Sequence, residues 1–281
     1  MFWIASVAVF LVSMDGTMLF AAFSALRAGF PHATAADLSW VLNAYTVAYA
    51  ATLIPSGGLA DKHGRKKVFL AGVALFLAAS VACGLSPSVG WLVAARVLQA
   101  IGAALLTPAS LSLVLAAFPI SKRAVAISLW GAVGALAAAV GPSLGAFVIA
   151  SIGWHWAFYL NVPLGLAAIS RGATLLTETK QHTTNRPLDL FGMGLLIVGT
   201  SALALSIAQS ESPGWSRNEL FGIASIGLLS IIGFVAWARV ATAPLVDLGV
   251  FRNPTYRLRQ PRNIEFRYRV FDDVFWLHFS T

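Results

Sequence analysis

Charge and cysteine are both scarce in this 281-residue chain, and each shortage excludes a class of protein. Lys, Arg, Asp and Glu together make up 11% of the residues, against about 25% in an average soluble domain. Hydrophobic residues reach 58% and mean hydropathy is +0.78, more apolar surface than a water-soluble fold of this length can hide. The one cysteine, Cys83, lies inside an apolar run, which rules out a disulfide framework and a thiolate metal site. The five histidines are scattered with no pair at metal-ligand spacing, so neither a metal nor a cofactor is expected. No GxxxxGK[ST] phosphate loop occurs, which leaves ATP-driven pumping without support. Gly141-Pro142-Ser143-Leu144-Gly145 spells a hydrolase-like GxSxG, but that chemistry needs a strand-to-helix elbow with acid and histidine partners. An apolar helical run supplies none of these, and the chain is not read as an enzyme.

What is present is a series of apolar stretches of membrane-crossing length. They fall at 2–23, 38–55, 68–85, 91–111, 124–150, 156–176, 190–208 and 220–238. The first is not a secretory signal, because it lacks a basic start and carries Asp15 within its apolar region. The net charge of +8 would suggest nucleic acid in a soluble protein, but here the bases lie in loops and in the tail, so no nucleic-acid partner is expected.

Those bases set the orientation, since Lys and Arg accumulate in cytoplasmic loops. One set holds Lys62, Arg65, Lys66, Lys67, Lys122, Arg123, Lys180, Arg186, Arg239 and Arg252, and the other only Arg27 and Arg217. With an even number of spans, both termini face the cytoplasm. Trp40, Trp91, Trp154, Trp156 and Trp215 fall near span ends, as interfacial anchors do.

Ionisable groups inside the spans cost about 2.5–3.5 kcal/mol each when central, which singles out Asp15 and Arg96. At 1.5 Å rise per residue, Asp15 sits about 20 Å from the cytoplasmic start of its span and Arg96 about 8 Å below the outer start of its own. In a core of about 30 Å those depths nearly coincide. The two are expected to face one water-filled cavity and interact there. In the alternative, Arg96 snorkels outward along Trp91 and Asp15 only hydrogen-bonds to a neighbouring helix.

Two other stretches carry signals. Gly58-Leu59-Ala60-Asp61-Lys62-His63-Gly64-Arg65-Lys66-Lys67 connects the second and third spans. Gly58 and Gly64 are expected to allow the turn its unusual dihedrals, and Asp61 to favour the positive N-terminus of the third span. In the fifth span, Gly134, Ala138, Gly141 and Gly145 recur at three- and four-residue steps, which permits close helix contact, and Pro142 can bend the helix.

Taken in order, these stretches resemble the major facilitator superfamily, and within it the fourteen-span drug:proton antiporters. The ten-residue connection follows that family's loop motif closely. Met14-Asp15-Gly16-Thr17 resembles the first-span motif, with Phe20 and Ser24 where asparagine and proline are usual. Arg96-Val97-Leu98-Gln99-Ala100-Ile101-Gly102 resembles the fourth-span motif, with Ala100 for a customary glycine. Gly141 through Ala146 resembles the antiporter motif with its last glycine changed to alanine. Trp156 through Gly165 and Pro244 through Leu248 resemble lesser landmarks.

The resemblance implies an all-α polytopic membrane protein of the major facilitator fold. An N-terminal six-helix bundle would cover 1–176, a cytoplasmic linker 177–187, and two additional spans 188–251. It implies export of drugs or other small amphipathic compounds in exchange for protons across the inner cell membrane. Asp15 and Arg96 would couple proton to substrate, Asp61, Arg65 and Lys66 would serve the cytoplasmic gate, and the glycines with Pro142 would seal the cavity. Residues 252–281 depart from the pattern, with Arg257, Arg259, Arg262, Arg267, Arg269, Asp272 and Asp273 where another span is expected. They read as a truncated or frameshifted end, or as a basic membrane-surface tail. Such a chain is expected to be inactive alone unless it dimerises or pairs with a second half. The alternative function is a non-transporting membrane fragment that binds or regulates a transporter.

Overall fold

The computed structural model describes residues 1–178, 188–210 and 214–246. Most of the linker at 177–187 and all of the tail at 252–281 lie outside the described residues, as do Lys180, Arg186, Asp247 and Arg252. The described residues form α-helices and one 3₁₀ turn, with no strand among them. In chain order the helices are α1 Phe2–Gly29, α2 Ala35–His63, α3 Arg65–Gly84, α4 Val89–Ala116, α5 Arg123–Ile152, α6 His155–Tyr159, α7 Asn161–Leu175, α8 Leu190–Ala208 and α9 Arg217–Val240.

Helix starts follow local chemistry. Thr34 and Asp37 form a capping box at α2, and Ser216 with Glu219 does the same at α9. Ser88 caps α4 and Asp189 caps α8. The predicted sixth span is broken into α6 and α7 at Leu160, a division the apolar run did not reveal. Pro163 explains it: it donates no N–H, and its ring opposes the carbonyl four residues back at Tyr159.

Six helical segments are long and apolar enough to cross a membrane by length and composition: α1, α3, α4, α5, α8 and α9. α2, with Asn43, Thr46, Tyr49 and Thr52, and the broken α6–α7 complete the path by position rather than by hydropathy. α1 packs mainly on α5, α3 on α4, α2 on α4, and α9 on α8, which in turn lies against α2. The core has two apolar clusters, one around Leu11, Phe69, Phe76 and Leu106, the other around Leu26, Leu38, Leu92 and Phe158. Small residues let paired helices touch at the backbone. A Cβ on Gly102 would lie 2.6 Å from the Phe76 nitrogen, and one on Gly227 3.0 Å from the Gly199 carbonyl. Trp154, expected as an interfacial anchor, is instead buried against Phe30 and Phe158. Of the tryptophans expected as anchors, Trp91 and Trp156 are exposed near their helix starts.

Candidate functional site

α1, α2, α3, α4 and α7 converge on one buried polar cluster between the two apolar ones. Asp15, 3% exposed, receives a hydrogen bond and ion pair from Arg96 Nη1 at 2.6 Å on its Oδ2. Its Oδ1 accepts from Gln99 Nε2 and from Asn161 Nδ2, both at 2.9 Å. Arg96, 1% exposed, also donates from Nη1 to Gln99 Oε1 at 2.6 Å and from Nε to the Val41 carbonyl at 3.2 Å. Its guanidinium carbon lies 3.9 Å from the centre of the Tyr45 ring, a cation–π contact. Gln99 Nε2 reaches Ser80 Oγ as well, at 2.8 Å.

The two charges meet at the same depth, as the helix-rise arithmetic required. Both side chains are buried by their neighbours, Asp15 at 3% and Arg96 at 1% exposure, where an open, cavity-facing position was expected. Burying two charges is tolerable when geometry is close and the remaining lone pairs and protons are satisfied. Two uncharged side chains, Gln99 and Asn161, do this for the pair, with Ser80 behind them accepting from Gln99, and sequence reasoning picked out none of the three as a site residue. Gln99 had a signal, since it lies one turn from Arg96 on the same face of α4. Asn161 lay within the Trp156–Gly165 stretch that resembles a family landmark but was given no role, and Ser80 gave no signal.

The ten-residue connection is less of a loop than its composition implied. Gly58 through His63 are the last turns of α2, α3 begins at Arg65, and Gly64 alone stands between them at φ 107°. Gly58 is helical, and its small size matters for a different reason: a Cβ there would lie 2.6 Å from Leu245 Cδ1. Asp61 does not cap α3. It pairs with Arg65 Nη2 at 3.1 Å, a partly exposed contact of about 0–1 kcal/mol. The cap is Glu178, whose carboxylate accepts from the Lys66 and Lys67 backbone N–H groups at 3.1 and 3.3 Å. Lys66 Nζ donates to the Ala173 carbonyl at 2.7 Å, tying the start of α3 to the end of α7. Gly64→Ala is expected to lower stability by about 1–3 kcal/mol, since its Cβ would lie 2.6 Å from Glu178 Oε1 in a backbone region that side chains avoid. Thermal unfolding in detergent checks this, and an unchanged midpoint would show that the turn relaxes freely.

The fifth-span glycines form a seam. Gly134, Gly141 and Gly145 are the buried face of α5 against α1. A Cβ on Gly134 would lie 2.9 Å from Val9 Cγ2, one on Gly145 2.6 Å from Met18 Cγ, and one on Gly141 would collide with Thr17 Oγ1. α5 is continuous through Pro142, which faces outward. The glycines therefore hold α5 on the stretch of α1 that carries Asp15.

Two clefts open elsewhere. One of about 680 Å³ lies at the end of the bundle opposite the α2–α3 turn, among Phe30, His32, Asp37, Trp40, Pro87 and Val93. Another of about 390 Å³ lies beside Asp189, Phe191 and Trp237. Neither includes Asp15 or Arg96. Among the described residues no cluster of His, Cys, Asp and Glu is able to hold a metal ion.

Comparison with known proteins gives a consistent picture. The sequence profile of the Major Facilitator Superfamily matches residues 5–255. An uncharacterized MFS-type transporter of Mycobacterium tuberculosis is 36% identical over 92% of this chain and 44% of its own length. The tetracenomycin C resistance and export protein of Streptomyces glaucescens is 35% identical over 88% of this chain and 46% of its own. The multidrug export protein EmrB of Escherichia coli K12 is 31% identical over 90% and 49%. The chain thus spans about half the length of the curated relatives it matches. A crystal structure of a POT peptide transporter shares the fold, with a TM-score of 0.61 at 19% identity over 85% of this chain and 51% of that one.

Proposed function

Because this chain belongs to the major facilitator superfamily, we propose that it supplies the N-terminal bundle of a secondary active exporter of small amphipathic compounds, driven by exchange for protons. Residues 1–176 are the bundle, 177–187 the cytoplasmic linker and 188–251 two additional spans, in a multi-pass protein with both ends of this segment cytoplasmic. The observation that carries the reading is the buried Asp15–Arg96 pair, a titratable carboxylate held across α1 and α4 at membrane depth. Relatives named for multidrug export and for tetracenomycin C resistance and export favour the same substrate class.

The mechanism follows from electrostatics. As a carboxylate, Asp15 binds Arg96 and draws α1 and α4 together. A proton on Asp15 removes that attraction, so the α1–α4 contact weakens, and it removes the attraction of Asp15 for a cationic substrate as well. An amphipathic cation competes with the proton for the same charge. The return of Asp15 to the carboxylate form recloses the pair, which makes proton and substrate alternate.

Proteoliposomes carrying this chain fused to the C-terminal half of the E. coli multidrug exporter test it. An imposed pH gradient is expected to drive ethidium out, and Asp15→Asn to abolish the gradient dependence while leaving the protein in the membrane. Ethidium movement indifferent to both the gradient and Asp15 would sink the reading. At the cytoplasmic turn, Asp61→Asn is expected to cut turnover several-fold while reducing membrane abundance little. An equal fall in both would mark Asp61 as part of the fold only.

A further inference from the structure

Two buried side-chain atoms of the polar cluster have no hydrogen-bond partner, Tyr45 Oη and Asn161 Oδ1, and only the second belongs to a group that touches Asp15. Asn161 is fully buried, its Nδ2 donates to Asp15 Oδ1 at 2.9 Å, and its Oδ1 has no hydrogen-bond partner. A buried amide carbonyl without a donor costs free energy that the fold ordinarily avoids. Gln99, which makes the matching contact to the same carboxylate oxygen, is different: its Oε1 accepts from Arg96 and its Nε2 donates to both Asp15 and Ser80. Turning the Gln99 amide over would set its NH₂ against the guanidinium. Turning the Asn161 amide over breaks only the bond to Asp15, apart from a marginal 3.5 Å contact to Ser80.

We propose that Asn161 is a positioning residue that complements both protonation states of Asp15, by rotating its side-chain amide about Cβ–Cγ. This rests on the reading of Asp15 as the proton carrier. With Asp15 ionised, Nδ2 faces Oδ1 and donates. When a proton arrives it settles on Oδ1, because Oδ2 faces the Arg96 guanidinium, and the new O–H then points at an NH₂ that has no lone pair to receive it. Rotation by half a turn brings the unpartnered Asn161 Oδ1 to the place of Nδ2, where it accepts the carboxylic O–H. No covalent bond other than that O–H is made or broken, the Nδ2–H···Oδ1 hydrogen bond gives way to an O–H···O one, and Arg96 keeps its charge and its contacts to Val41, Gln99 and Tyr45. The charged or titratable groups around Asp15 are Arg96 from α4, which bonds it directly, Tyr45 from α2, whose ring lies against Arg96, and Cys83 from α3, whose thiol bonds Gln99. α7 contributes the neutral amide, which is what allows it to serve either state.

Infrared spectroscopy of the full chain in lipid bilayers, titrated from neutral to acid pH, tests this. The wild-type chain is expected to develop a carboxylic-acid carbonyl band that Asp15→Asn removes, together with a downward shift of one Asn amide carbonyl band as that carbonyl gains a donor. Asn161→Leu, which fills the space and keeps water out, is expected to abolish the amide shift and move the acid band to higher frequency, towards that of an unbonded carboxyl. Asn161→Ala is the second variant should the larger side chain disturb folding, and it loses the same amide shift. An acid band sensitive to Asp15→Asn but unchanged in frequency in both Asn161 variants, with the amide shift intact, overturns the role of Asn161 alone. The absence of any band sensitive to Asp15→Asn overturns it together with the proton-carrier reading.

Discussion

Arg96→Met is expected to destabilise the chain by about 3–5 kcal/mol, and adding Asp15→Asn to it is expected to recover most of that loss. The single change leaves the Asp15 carboxylate 3% exposed with two neutral donors, Gln99 and Asn161, and no countercharge. Asp15→Asn alone strands Arg96, which is 1% exposed, on the Val41 carbonyl, Gln99 and the Tyr45 ring. In the double variant no uncompensated charge remains, so the desolvation cost disappears along with the attraction. Chemical unfolding of the four proteins in detergent measures the coupling as a double-mutant cycle. Additive losses would mean that the two charges do not depend on each other. Transport separates from stability here: the double variant is expected to fold and to have lost its response to pH.

Gly141→Val is expected to be the most damaging single substitution on α5. Its Cβ would run into Thr17 Oγ1 and lie 3.1 Å from the Met14 carbonyl, and backbone at such a contact has no rotamer by which to yield. Overpacking of this kind costs about 1–3 kcal/mol and sometimes more. It also pushes α5 away from the residues on either side of Asp15, so under the proposed function the fused exporter should move less ethidium even where it still reaches the membrane. Gly131→Val is the matched control, because a Cβ there meets nothing within 4 Å. Equal thermal unfolding midpoints for the two variants would show that the α1–α5 seam is not closely packed.

The residues that could be found from the sequence were those whose cost is visible without knowing their neighbours. A charge in an apolar run is expensive wherever the helix goes, and a fixed rise per residue converts position into depth. Asp15 and Arg96 were therefore found, with their shared level, before any packing was known. Small residues at three- and four-residue steps likewise announce a contact face: Gly134, Gly141 and Gly145 do line the face of α5 against α1, although Ala137 rather than Ala138 is buried with them. Neutral polar residues carry no comparable cost, because a serine or asparagine in a helix often bonds to its own backbone. Ser80 and Asn161 were invisible as site residues for that reason. Glu178 lies 112 residues from the Lys66 amide it caps, and no local pattern links them. Composition also overstated the α2–α3 turn, since Gly58 and Asp61 suit a helix end as well as a loop.

By itself the sequence determined that the chain crosses a membrane repeatedly, which spans carry charge and at what depth, and which helix presents a small-residue face. Hydrophobicity, helix rise and side-chain size are properties of each residue and its near neighbours, and so can be read along one dimension. Only the tertiary structure decided that the charged pair is buried, that Gln99, Asn161 and Ser80 complete its hydrogen-bond network, that Glu178 rather than Asp61 caps α3, and that the sixth span breaks at Leu160. Apart from that break, these depend on which side chains meet across different helices, and helices of similar hydropathy pack in many arrangements until shape and hydrogen bonding select one.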